Sequence, residues 1–97
     1  MPSYVMLMKY TEQGIRNVKE SPNRLDAFKK TLRAQGAEFR DYFMVMGQYD
    51  GILVLTAPND EAVTKVALSL CALGNVRTET LRAYSEDEYR KIIGSLP

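Results

Sequence analysis

Histidine is absent from this 97-residue chain, cysteine occurs once, at Cys71, and no apolar run is long enough to cross a bilayer. Each absence removes a class of function. Without histidine, a haem held by a proximal imidazole, histidine-containing zinc sites and Ser-His or Cys-His nucleophile pairs all lack their central residue. One cysteine excludes an intrachain disulfide and fits a reducing compartment. The formal net charge of +1 supplies no basic field for a phosphate backbone, so nucleic acid is not an expected partner. The first residues, MPSYVMLMKY, lack a basic n-region and a small-residue cleavage site, which together with the missing apolar run predicts a cytoplasmic protein that does not engage membranes. No cluster of Asp and Glu has ligand spacing, so neither a metal nor a cofactor is expected.

What is present centres on Met44 to Ala57, MVMGQYDGILVLTA. Gly47-Gln48 reads as the two-residue loop of a β-hairpin, with Gly supplying the positive φ that a type II′ turn requires. That loop predicts the pairs Met46 with Tyr49, Val45 with Asp50, Met44 with Gly51, Phe43 with Ile52 and Tyr42 with Leu53. Paired residues share a face. One face should then carry Tyr42, Met44, Met46, Tyr49, Leu53 and Leu55, and the other Phe39, Phe43, Val45, Ile52 and Val54. Both are apolar, so both need cover.

In chain order, Ser3 to Tyr10 is a strand that is also apolar on both faces. Thr11 to Ser21 reads as a helical turn or ordered loop. A helix should start at Ser21-Pro22, with Ser as cap and Pro in the first turn, carry the stripe Leu25, Phe28 and Leu32, and stop at Gly36. Ala37 to Met46 is a strand whose Glu38, Arg40 and Asp41 suggest an exposed edge, and Asp50 to Ala57 is a more central one. A second helix opens at Pro58-Asn59-Asp60-Glu61 and buries Val63, Val66, Ala67 and Leu70 before Gly74. Asn75 to Tyr84 is a half-exposed strand. Ser85 and Glu88 form a capping box ahead of Tyr89, Ile92, Ile93 and Leu96 on one helical face.

The order is β-α-β-β-α-β with an added C-terminal helix: an α+β, ferredoxin-like, single domain with a four-stranded antiparallel sheet in the order 4-1-3-2. Two helices can cover one sheet face. The other, expected to be rich in Met and Tyr, has no third layer of its own, and a partner sheet is the simplest cover. A homodimer with sheets face to face is therefore predicted, with larger assemblies left open.

Gly47-Gln48-Tyr49-Asp50, followed by Gly74-Asn75-Val76-Arg77-Thr78-Glu79-Thr80, resembles the GYD-domain family, and the similarity runs through MPSYVMLMKYTEQG and the terminal SEDEY helix. The resemblance implies membership of the dimeric α/β-barrel superfamily, in which two ferredoxin-like subunits pair sheets around a cavity. More distantly, Gly47, Tyr49 and Asp50, then Gly74, Val76, Thr78 and Thr80, are similar to the effector-binding domain of Lrp/AsnC-type regulators, which implies a small effector held between subunits. No helix-turn-helix precedes the first strand here, so DNA binding is not implied.

The candidate ligand-binding residues are Tyr4, Tyr42, Tyr49, Asp50, Arg77 and Thr78. Asp50 is either a turn acceptor or a site carboxylate, and the tyrosines either donate to a ligand or pack an interface. Arg77 and Glu79 should share one face of the last strand, with Arg82 on the other; ion pairing is their default and anion binding by an Arg the alternative. Cys71 reads as a core residue. Three functions remain open: a small-molecule-binding or sensing dimer, a cofactorless monooxygenase- or isomerase-like enzyme with Asp50 as general base, and a purely structural assembly module.

Overall fold

Eight elements and a short 3₁₀ turn make up the computed structural model, which describes residues 1–97. They are β1 (Ser3–Tyr10), α1 (Glu12–Arg16), the 3₁₀ turn Val18–Glu20, α2 (Ser21–Ala34), β2 (Glu38–Met44), β3 (Gly51–Thr56), α3 (Asp60–Ala72), β4 (Val76–Ala83) and α4 (Glu86–Gly94). The sheet order is β2-β3-β1-β4, antiparallel throughout, as the pattern predicts. The two most apolar strands, β3 and β1, lie in the middle, where both edges are paired.

The registers sort side chains into two faces. On one, the cross-strand rows are Arg82, Tyr4, Leu55 and Phe39, then Thr80, Met6, Leu53 and Tyr42. Tyr4, Met6, Leu53 and Leu55 are at most 4% exposed and pack with Phe28 and Leu32 of α2 and Val63 and Val66 of α3. On the other face the rows are Leu81, Val5, Val54 and Asp41, then Glu79, Leu7, Ile52 and Phe43. No element of the chain covers this second face: Phe43 and Leu81 are 52% and 46% exposed, and Val5, Leu7, Ile52 and Val54 are only half-buried.

This corrects one expectation. The methionines and tyrosines of the strands turn toward the helices, and the open face is aliphatic, built from Val, Leu and Ile. Phe39 also changes sides. A bulge between Phe39 and Asp41 adds Arg40 to β2, which shifts the alternation by one and sends Phe39 to the helix side with Leu55.

The hairpin keeps its predicted register at Tyr42, Phe43 and Met44, opposite Leu53, Ile52 and Gly51, and Gly47 has φ +116°. The ladder stops there, apart from a bond from Val45 N–H to the Asp50 carbonyl of 3.0 Å. Asp50 is pulled toward β1: its N–H donates to the Met8 carbonyl at 2.8 Å, and its carboxylate accepts the Tyr10 N–H at 2.8 Å. Met46 therefore has no pairing with Tyr49, and the hairpin tip stands free.

Helix α2 departs from prediction in its cap. The 3₁₀ turn leaves Glu20 helical, so Ser21 makes no capping bond and its hydroxyl lies 3.2 Å from the Tyr10 hydroxyl. Asn59 caps α3 through the Ala62 N–H at 2.9 Å, and Ser85 and Glu88 form the predicted box at α4. Helix α1 is fastened to the α3–β4 turn. Thr11 N–H and hydroxyl donate to the carbonyls of Asn75 and Gly74 at 3.0 and 2.6 Å, and a Cβ on Gly14 would sit 1.8 Å from the Asn75 oxygen. Only glycine fits so close an approach.

Helix α4 is the exception to a packed fold. It stands almost clear of the other elements, and the molecule is drawn out to 51 × 31 × 18 Å. Tyr89, Ile92, Ile93 and Leu96 are each 43–62% exposed. No helix is long and apolar enough to cross a membrane.

Candidate functional site

The six candidate residues do not converge; the sheet divides them. Tyr4, Tyr42 and Thr78 lie on the helix side, Tyr49 and Arg77 on the open side, and Asp50 at the end of the sheet between them.

On the helix side, α3 lies along β4, and the inner residues Thr78 and Thr80 of that strand stay only half-buried. Between them is a cleft of about 380 Å³ whose polar groups are Tyr4, Asp60, Thr64, Thr78, Thr80 and Arg82 and whose apolar wall is Val63, Ala67 and Leu68. The buried Tyr4 hydroxyl donates to the Asp60 carboxylate. That hydrogen bond, then burial, holds the Tyr4 phenol above its usual pKa, with Arg82 pulling the other way. Arg82 lies 5.7 Å from the Tyr4 ring and 4.3 Å from that of Tyr84, and its guanidinium reaches the Ser3 carbonyl at 3.3 Å. Thr78 faces Cys71, with 3.4 Å between hydroxyl and sulfur. Tyr42 is half-buried beside Tyr10; burial first, then Tyr10, raises its pKa.

On the open side, Tyr49 leaves the hairpin and reaches β4, donating to Glu79 at 2.6 Å, with the Lys9 ammonium 5.5 Å from its ring. The bond to Glu79 is the main cause of the raised Tyr49 pKa. This reverses the predicted face of Tyr49: once the ladder ends at Gly51, parity no longer fixes its direction, and Glu79, thirty residues away, does. Lys9 pairs with Arg77 in register, so Lys9, Tyr49, Arg77 and Glu79 form a charged corner next to the aliphatic patch. Asp50 is engaged with backbone, as the turn-acceptor alternative expects.

Sequence reasoning missed Asp60, Glu79 and Lys9 as partners. The only signal for Asp60 was its place in an acidic first helical turn; strand parity groups Glu79 with Arg77 but is silent about Tyr49, which lies outside the ladder. No three carboxylate or thiol groups come together as metal ligands. Cys71 has no base beside it, only Thr78. The arrangement offers binding surfaces of mixed polarity: hydrogen-bonded tyrosine–carboxylate pairs, one on each face, beside apolar walls.

Comparison with known proteins agrees with this architecture. A Thermus thermophilus protein described as a glutamine synthetase and cystathionine beta-lyase binding protein is 30% identical over 84 residues, 86% of this chain and 88% of that one. Among solved structures, the Mycobacterium tuberculosis leucine response regulatory protein superposes with a TM-score of 0.65 at 14% identity, over 87% of this chain and 51% of the regulator. A feast or famine regulatory protein from the same organism, complexed with L-methionine, does so at 0.65 and 17%, over 89% and 54%. This chain thus spans about half the length of those regulators, and at such identities the likeness carries the fold alone. The GYD-domain model matches residues 4–93, nearly the whole chain, and the protein belongs to the GYD-domain family.

Proposed function

We propose that this protein is a binding module rather than a catalyst, and that it works as a homodimer closed through the open faces of its sheets, with a small amphiphilic ligand held where those faces meet. The observation that carries the reading is the bare aliphatic patch of Val5, Leu7, Ile52, Val54, Phe43 and Leu81 bordered by the charged corner of Lys9, Tyr49, Arg77 and Glu79. An apolar sheet face of this extent gains by being covered. Closing it would turn the corner into a polar wall at the mouth of an apolar space, the usual make-up of a small-molecule site. Asp50 is a backbone anchor in this scheme, not a base. Native mass spectrometry of protein purified from its own host tests the reading: a dimer with a reproducible added mass that is lost in Tyr49→Phe or Glu79→Gln is expected. A monomer would sink it.

A second reading is favoured by the 30% identical relative, whose description names two enzymes as its binding partners. In that reading the dimer is an adaptor that docks on a metabolic enzyme through its outer surface. Gel filtration with glutamine synthetase or cystathionine beta-lyase from the same host tests it; separate elution at micromolar concentrations counts against it.

A further inference from the structure

The open face carries charge beside its aliphatic side chains, and the two signs are treated differently. Lys9 and Arg77 stand directly opposite each other on β1 and β4, on strands about 4.8 Å apart. Like charges facing each other across a sheet destabilise it. Neither has a carboxylate partner: the chain's three ion pairs are Arg16–Glu12, Arg40–Glu38 and Arg90–Glu86.

The carboxylates of the same face are each directed at a donor of their own chain. Glu79 accepts from the Tyr49 hydroxyl at 2.6 Å, Glu38 pairs with Arg40 at 2.9 Å, and Asp41 accepts the Tyr42 N–H at 3.0 Å. A second copy of this face presents the same groups, so it brings no spare carboxylate to the two cations. Tyr49 keeps the division in place. Its hydroxyl holds Glu79, and its ring lies 5.5 Å from the Lys9 ammonium, within cation–π range. Glu79 is thus the anchor of Tyr49, and its loss drops that wall as well as a charge.

The charge left over identifies the headgroup. Lys9 and Arg77 exceed Glu79 by one formal charge. A single carboxylate balances that excess, whereas a phosphate monoester, with about −1.5 to −2 at neutral pH, overshoots it. The guanidinium fork also matches the two oxygens of a carboxylate. From Lys9 the face continues along β1 through Leu7 to Val5, about 13 Å of extended strand, with Ile52 and Val54 of β3 beside it.

Resting on the sheet-to-sheet dimer proposed above, we infer that the ligand enclosed there is an aliphatic monocarboxylate, its carboxylate on Lys9 and Arg77 and its chain along Leu7 and Val5. Cover by the partner sheet strengthens the charge attraction, because it removes the water that screens it.

Isothermal titration of the dialysed full chain with octanoate, dodecanoate, octanol, octylamine and octyl phosphate tests this, with sedimentation of the same samples. Saturable binding of at least one of the two carboxylates is expected, about tenfold or more tighter than octanol. Octylamine should not bind, and octyl phosphate should bind no more tightly than octanoate. Arg77→Gln and Lys9→Gln should each weaken the carboxylate about tenfold and leave octanol unchanged; Lys65→Gln, on α3, should alter neither. Octanol or octylamine matching the carboxylates, or octyl phosphate exceeding them, would overturn the assignment. A sedimenting dimer that takes up neither carboxylate would overturn it and leave the dimer intact, whereas a monomer would overturn both. Should Asp41→Asn weaken dimerisation as much as Arg77→Gln does, the second copy supplies the counter-charge and the inference fails.

Discussion

The two faces of this sheet are almost equally apolar, yet they have opposite fates. The helix face puts Tyr4, Met6, Leu53 and Leu55 out of water against α2 and α3. The open face leaves Val5, Leu7, Ile52 and Val54 half-covered with nothing of the chain above them. The difference teaches that apolar content does not by itself tell folding from association. The same chemistry stabilises the fold on one side and is left partly open to solvent on the other.

Substitutions on matched positions separate the two roles. Leu53→Ala, on the covered face, should cost about 2–5 kcal/mol in urea unfolding at any protein concentration. Its neighbour Val54→Lys, one residue on and facing the other way, should leave far-ultraviolet circular dichroism unchanged and raise the dimer dissociation constant about 30- to 100-fold. If Val54→Lys instead unfolds the chain at micromolar concentration, the open face is part of the monomer's own core and the comparison fails. The tyrosine–carboxylate pairs extend the contrast. Tyr4→Phe removes a buried donor to Asp60 and should cost about 1 kcal/mol.

It should also change the alkaline response. Because the folded Tyr4 pKa lies above the usual phenol value near 10, the native state holds its proton longer than the unfolded chain does. That contribution is complete below pH 10 and is lost as pH rises through the folded value. Wild type should therefore lose stability above pH 10 more steeply than Tyr4→Phe. Tyr49→Phe, on the exposed side, should give the smallest effect. The unfolding midpoint of the monomer stays put, and only dimerisation or ligand retention moves; a loss as large as that of Tyr4→Phe would place Tyr49 in the fold instead of the interface.

Strand order, helix stripes and three of the turn glycines were legible in the sequence because each follows from a local pattern: apolar runs for β1 and β3, Leu25-Phe28-Leu32 for α2, and positive φ at Gly36, Gly47 and Gly74. Which face would stay open was not. A hairpin apolar on both sides carries no sign, and the single extra residue Arg40 inverts the parity of Phe39. Ser21 was a sound cap by type, but its function as a cap needs an extended Glu20-Ser21 backbone, and the preceding 3₁₀ turn removes it. The candidate residues were legible as residue types and not as a site, because their partners are distant in the chain: Asp60 for Tyr4, Glu79 for Tyr49, and the Tyr10 amide for Asp50. The stripe on α4 was plain from its spacing, whereas its lack of cover is a property of three dimensions only.

The bulge at Arg40 also makes the two margins of the sheet unlike. Strand β2 ends the ladder with a broken alternation, a local kink and an Arg40–Glu38 ion pair, all of which discourage an incoming strand. Strand β4 is regular over eight residues, and its outer backbone groups stay in register from Val76 to Ala83. Edge-on growth of this sheet is thus directional: a further strand, from another copy or from a peptide, can be templated at β4 and is refused at β2.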